Sequence, residues 1–187
     1  ANIATLVNGI SYQNTNINDP TAGTRVVTLT SITDSGSNIS PNVNTTSLSV
    51  ASTVTVVAIN DPPTLTATGS NPTFTEGGSA GQSIQGSAVT LFSGASVSTI
   101  ESGQTITSLT FTVTNLADST NEKITADGTQ FSLTDATTGT TATNSMTYSV
   151  SVSGTTATVT LTKSGGVSAA NIATLVNGIS YQNTNIN

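Results

Sequence analysis

Nine carboxylates carry most of the chemistry open to this chain, because histidine and cysteine are both absent. Disulfides, zinc sites built on Cys or His, and histidine general bases are excluded by composition. Catalysis would have to come from a carboxylate pair or a carboxylate-held metal. The local sequence brings no two acids together in that way, so the expectation is that the chain is not an enzyme. The other use for such acids is a hard divalent cation, which takes oxygen ligands from loops. Most of them also have plainer readings. Asp34 in TDSGS reads equally well as a turn residue that bonds its own backbone. Asp127 in ADG reads as a hairpin residue. Glu101, Asp118, Glu122 and Asp135 read as solvated turn charges. Lys123 and Lys163 could each be joined to an Asn by an isopeptide bond, but nothing in the sequence locates the buried Lys, Asn and acid that such a bond needs.

Composition narrows the partners. Arg25, Lys123 and Lys163 are the only basic residues and the formal net charge is −6. That balance argues against nucleic acid, whose binding rests on phosphate neutralisation by Lys and Arg. No stretch approaches the roughly 20 apolar residues of a membrane-spanning helix, so no membrane insertion is expected. Charged residues make up 6% of the chain, against about 25% in ordinary soluble domains. The water-facing surface must therefore be built from Thr, Ser and Asn, and β-branched Thr suits strands.

The elements that would position these side chains are strands. In LTFTVT (109–114), YSVSV (148–152) and ATVTLT (157–162), apolar residues alternate with Thr or Ser. A period of two places one face on a core and the other in water. Gly154, between the last two runs, predicts a hairpin turn. Further strands are expected at 24–33 and 52–60, with shorter ones at 74–76, 87–91 and 129–134. Many short strands separated by turn signals predict an all-β sandwich. One segment differs. SAANIATLVNGI (168–179) spaces Ile172, Leu175 and Val176 as a helix does, with Ser168 to cap its start and Gly178 to end it. A short helix is expected there, leading into a strand at ISYQNT. Tyr181, and its earlier copy Tyr12, should pack in or near the core.

That copy exists because residues 1–18 and 170–187 both read ANIATLVNGISYQNTNIN, each letter recurring 169 positions on. The simplest account is a tandem array with a period of 169 residues, from which this chain is cut out of register with the unit boundaries. VVAINDPPTLTATG (56–69) is the linker, since two prolines stiffen the chain and donate no backbone hydrogen bonds. Residues 1–60 are then the C-terminal part of one repeat, and 61–187 the N-terminal part of the next. In the array the second part would be completed by copies of the strands at 24–33 and 46–60. Here, residues 19–60 either fold back on their own chain or are exchanged with neighbouring copies.

The pieces TSITDSGSN, TTSLSVASTVTVVAINDPP and FTEGG (74–78) resemble the end of a cadherin-like repeat, its linker, and the first-strand Glu of the following repeat. The helical turn before ISYQNT is similar to the bacterial cadherin-like or Ig-like repeats of very large secreted adhesins of the type I secreted, RTX group. The resemblance implies a Greek-key Ig-like or cadherin-like β-sandwich with one short helix before a late strand. It also implies an extracellular or cell-surface location and calcium at the junctions. Carried over by position, the ligands would be Asp61 as the linker acid, Asn60 through an oxygen, Glu76 on the first strand and Asp34 in the Asp-x-Gly turn, with Asp19 nearby. The chain departs from the family in having only NDPP at the linker and no Asp-x-Asp pair or Asp-Arg-Glu motif.

The function expected on these grounds is structural. The chain would be an extender repeat of an extracellular bacterial adhesin or filament, its partners being neighbouring copies of the same repeat. The alternative is a carbohydrate- or surface-binding module. It is disfavoured because there is no Trp, and the three Tyr and four Phe fall mostly in alternating strands.

Overall fold

The computed structural model describes residues 2–78 and 84–185. Ala1 at the head of the first repeat copy, and Ile186 and Asn187 at the tail of the second, lie outside the described residues. The chain divides into two compact units, 1–60 and 61–187.

The N-terminal unit holds helix α1 (Ile3–Asn8) and the antiparallel strands β1 (Gly23–Thr33) and β2 (Thr45–Val56). Leu29 pairs with Val50 and Arg25 with Val54. The loop between the strands is closed by Asp34 N–H donating to the Asn44 carbonyl at 2.9 Å. No described residue of this unit is buried. A lone two-stranded ribbon has too little apolar contact to be more than marginally stable in water.

The C-terminal unit is an all-β sandwich. Its strands are β3 (Thr64–Gly69), β4 (Val89–Thr90), β5 (Phe92–Ser98), β6 (Ile106–Val113), β7 (Glu122–Ala126), β8 (Thr129–Ser132), β9 (Thr138–Thr140), β10 (Thr147–Ser153), β11 (Thr156–Val167) and β12 (Ser180–Asn183), with helix α2 (Ala169–Asn177) before the last. One sheet has the order β6-β11-β10-β9, the other β4-β12-β7-β8, and β3 pairs with β5 as a separate ribbon. All the pairings are antiparallel.

The alternation sorts the side chains as expected. Ala157, Val159 and Leu161 of β11 are fully buried, while the intervening threonines form an outward ladder with β6 and β10. Ile124, Ala126 and Phe131 enter the core from the other sheet, and Ile172, Leu175, Val176 and Ile179 from α2 and the residues after it. Two tight turns use backbone conformations with positive φ. Asp127 and Gly128 (φ 51° and 78°) join β7 to β8, and Gly154 (φ 59°) opens the two-residue link from β10 to β11. In both cases a positive φ matches the turn to the twist of the strands it joins.

Some expectations need correction. Residues 74–76 form no strand. Phe74 instead packs its ring edge-on against Tyr181, the centroids 5.8 Å apart. TLTATG, read as linker, is strand β3, because β5 supplies a pairing partner that its own weak alternation does not announce. The strand expected at 52–60 begins earlier, at Thr45, and stops at Val56. No helix among the described residues is long and apolar enough to cross a membrane.

Candidate functional site: the acids and the seat of the repeated segment

The acids named above fall in different settings. Asp34 accepts from Gly36 N–H at 2.7 Å, the geometry of a side chain shaping its own turn. Asp19 N–H donates to Asn16 Oδ1 at 3.1 Å. Glu76 is exposed. Asp61, at the start of the C-terminal unit, donates its backbone N–H to Glu101 Oε1. Glu101 is thus no freely solvated turn charge. Its other oxygen, Oε2, is buried and has no hydrogen-bond partner among the described residues. Asn60 adjoins Asp61 in sequence. This corner offers oxygen chemistry suited to calcium, but the described residues contain no group of three acids that could hold a metal. A calcium ion takes six to eight oxygens, so the donor set fits in kind and falls short in number.

Two other acids are buried: Glu122, read above as a solvated turn charge, and Asp127, which does hold the hairpin turn it was read as. Glu122 is 6% exposed and accepts from Ala117 N–H at 3.0 Å, Asp118 N–H at 3.3 Å and Tyr181 O–H at 3.0 Å. Asp127 is 5% exposed. Its carboxylate accepts from Thr141 Oγ1, from Asn144 N–H at 2.9 Å and from Asn144 Nδ2 at 2.6 Å. Around the same loop, Lys163 Nζ donates to the Asn144 carbonyl and Asn171 Nδ2 to Asn144 Oδ1. A sequence signal did exist for Glu122, which shares the inward period-two register of Ile124 and Ala126. None marks the depth of Asp127, because Asp-Gly announces a turn whether or not the turn is covered.

The repeated segment shows one sequence in two environments. In the second copy, Ile172 is 0% exposed, Leu175 3%, Val176 5% and Ile179 2%. In the first, Ile3 is 55% exposed, Leu6 66%, Val7 37% and Ile10 54%. The local backbone is nearly the same in both. Gly9 and Gly178 close their helices at φ −92°, with ψ 0° and −2°. Only the start differs, since Asn2 caps α1 and Ser168 caps α2. Burial of each large aliphatic side chain is worth about 1.5–3 kcal/mol, which the second copy realises and the first largely forgoes.

Tertiary neighbours make the difference. Beyond α2, strand β12 lies inside its sheet, between β4 and β7. Asn177 Oδ1 accepts from Ala95 N–H at 2.9 Å, the Ile179 carbonyl from Leu91 N–H at 2.9 Å, and the Gly86 carbonyl from Gln182 Nε2 at 2.7 Å. Asn183 Nδ2 donates to Asp118. Tyr12, expected in the core with Tyr181, is instead 41% exposed. In the first copy, Val7, Ile10 and Tyr12 line a groove of about 280 Å³ with Val27, Leu29 and Val54 of the hairpin.

Burial, with the hydrogen bond to Glu122 and the negative charge there, pushes the Tyr181 hydroxyl from 10.0 up to about 12. The folded chain therefore holds this proton more tightly than the unfolded chain does. The resulting stability is full below pH 10 and is lost as pH rises towards about 12. Across that window the urea midpoint should fall less steeply for Tyr181→Phe than for the parent chain. Equal slopes would place Tyr181 in water.

Comparison with protein-family models, with curated proteins and with solved structures returns no match. The class that can be stated is an all-β sandwich with a helix seated before its last strand.

Proposed function

We propose that the chain is one period of a tandem array in a large extracellular bacterial adhesin or surface filament, and that its work is mechanical, each copy adding reach. The observation that carries this reading is the identical 18-residue segment 169 positions apart, packed in one place and bare in the other. A segment that is core in one copy and bare in the other is part of a repeated unit whose remaining strands surround only one of the two copies. Repeat arrays bury their faces against neighbours, so number of copies converts directly into length. A Thr- and Ser-rich surface, with few Lys or Arg, suits a protein exposed outside the cell.

Stiffness at each junction would come from Pro62 and Pro63, and from calcium at the linker acid Asp61 beside Glu101. Among the described residues no aromatic side chain of the sandwich is fully exposed, which weighs against the carbohydrate-binding alternative. Phe131 and Tyr148 stack on one another at 4.3 Å, and Phe74 lies against Tyr181. Tyr12, the exposed ring in the N-terminal unit, is the bare copy of a half-buried one.

The test is the contour length of arrays of one, two and four periods by electron microscopy, in calcium and in chelator. A constant increment per period is expected. Arrays that collapse into compact particles would overturn the reading. Bending that increases in chelator would support calcium at the junction, and equal bending would leave the prolines as the source of stiffness.

A further inference from the structure

We propose that residues 1–60 are a donor segment for a second copy of this chain. In this exchange α1 and residues 10–16 displace the identical α2–β12 segment of another molecule and carry the β1–β2 hairpin onto its sandwich. The inference deepens the tandem-repeat reading and rests on it.

The seat cannot distinguish the two segments. Each side chain it buries from α2 and β12 has its counterpart: Ile3 for Ile172, Leu6 for Leu175, Val7 for Val176, Ile10 for Ile179 and Tyr12 for Tyr181. The incoming segment is already helical, with the same C-terminal geometry, so little further ordering is needed. The apolar contacts made and broken inside the seat are alike, the two helices differing only at their starts. What is attached to each segment then decides the balance.

The incoming segment brings the hairpin, whose groove beside α1 is open and lined by Val27, Leu29 and Val54. The receiving sandwich has surface to offer. Strand β6 is the end strand of its sheet, and its core-facing Leu109, Phe111 and Val113 are only half-buried. An unpaired edge with incompletely covered apolar side chains is a template for added strands. Apolar area left in water by both partners is therefore buried on exchange, with no equivalent loss in the seat.

The link from β2 to β3, residues 57–63, reaches at most about 24 Å when extended. The twelve residues of β2 run about 40 Å at the usual rise per residue. The link holds Pro62 and Pro63 and keeps the hairpin tied to its own sandwich while α1 seats on another molecule. Repeated, the exchange builds head-to-tail fibres.

The chain has no cysteine, so single disulfides can report the exchange. Asn177 Oδ1 touches the backbone of Ala95 in the seated copy, and Asn8 is the counterpart of Asn177. The full chain carrying Asn8→Cys with Ala95→Cys should, on oxidation, form linked dimers and longer ladders whose yield rises with concentration. The control pair, Asn177→Cys with Ala95→Cys, should link within one molecule. Absence of ladders where the control links, or a linked monomer only, would overturn the exchange.

A second arm extends the full chain after Asn187 with a copy of residues 19–60. This should raise the melting temperature of the sandwich and abolish the ladder in the Asn8→Cys, Ala95→Cys chain. An unchanged melting temperature would overturn the tandem-repeat reading. A raised melting temperature, with no ladder from the unextended chain, would overturn the exchange alone.

Discussion

Ile172→Ala should destabilise the chain by about 3–4 kcal/mol, and Ile3→Ala by less than about 0.5 kcal/mol. The two positions share residue type and the sequence that follows; Ile3 opens α1 while Ile172 lies inside α2, a difference of roughly a few tenths of a kcal/mol at most. What remains is burial, 0% exposed against 55% exposed. Removing Ile172 leaves a cavity beside Leu65, Val97, Ile106 and Leu109, where close packing limits relaxation. Removing Ile3 takes away a side chain that already meets water. The measurement is the urea midpoint of each variant at low protein concentration, with the slope checked for constancy. Equal costs would mean that the first copy is seated as well. A cost for Ile3→Ala that appears only as concentration rises would connect it to exchange between chains.

The second large effect is expected at Asp127. Asp127→Ala should cost about 3 kcal/mol and Asp127→Asn about 1–2 kcal/mol. The carboxylate accepts from three donors on the loop that joins β9 to β10. Alanine leaves Thr141 and Asn144 without it, and buried donors that lose their acceptor carry the full desolvation penalty. Alanine is also strained at φ 51°, a conformation that Asn and Asp tolerate. Asparagine keeps the turn and one acceptor oxygen but turns an amide towards the remaining donors. Denaturant midpoints would give the ranking, and hydrogen exchange at Asn144 N–H would localise the loss. A change within about 0.5 kcal/mol for Asp127→Ala would return this residue to an ordinary solvated turn.

Local pattern made much of the sandwich legible. β6, β10 and β11 alternate one apolar residue with one hydroxyl, so their faces follow from chain geometry. Gly154 and Asp127-Gly128 mark hairpins because the backbone there needs positive φ. The helix at Ala169–Asn177 is readable from its spacing and its two caps. β3, β5, β7 and β9 were not readable, being short, small in side chain or charged, and β3, β5 and β7 pair with strands that are not their neighbours in sequence. The same limit applies to the acids. Glu122, Asp127 and Glu101 look like surface charges, and only the fold folds loops and strands over them.

The repeated segment draws the line most clearly. By itself the sequence determined that both copies are helical, that Gly ends each helix, and that one side of each is apolar, because these properties arise within a few neighbouring residues. Which copy is buried was decided by tertiary structure alone. Burial needs β4, β5 and β7 around the segment, and identical letters cannot state which copy those strands surround.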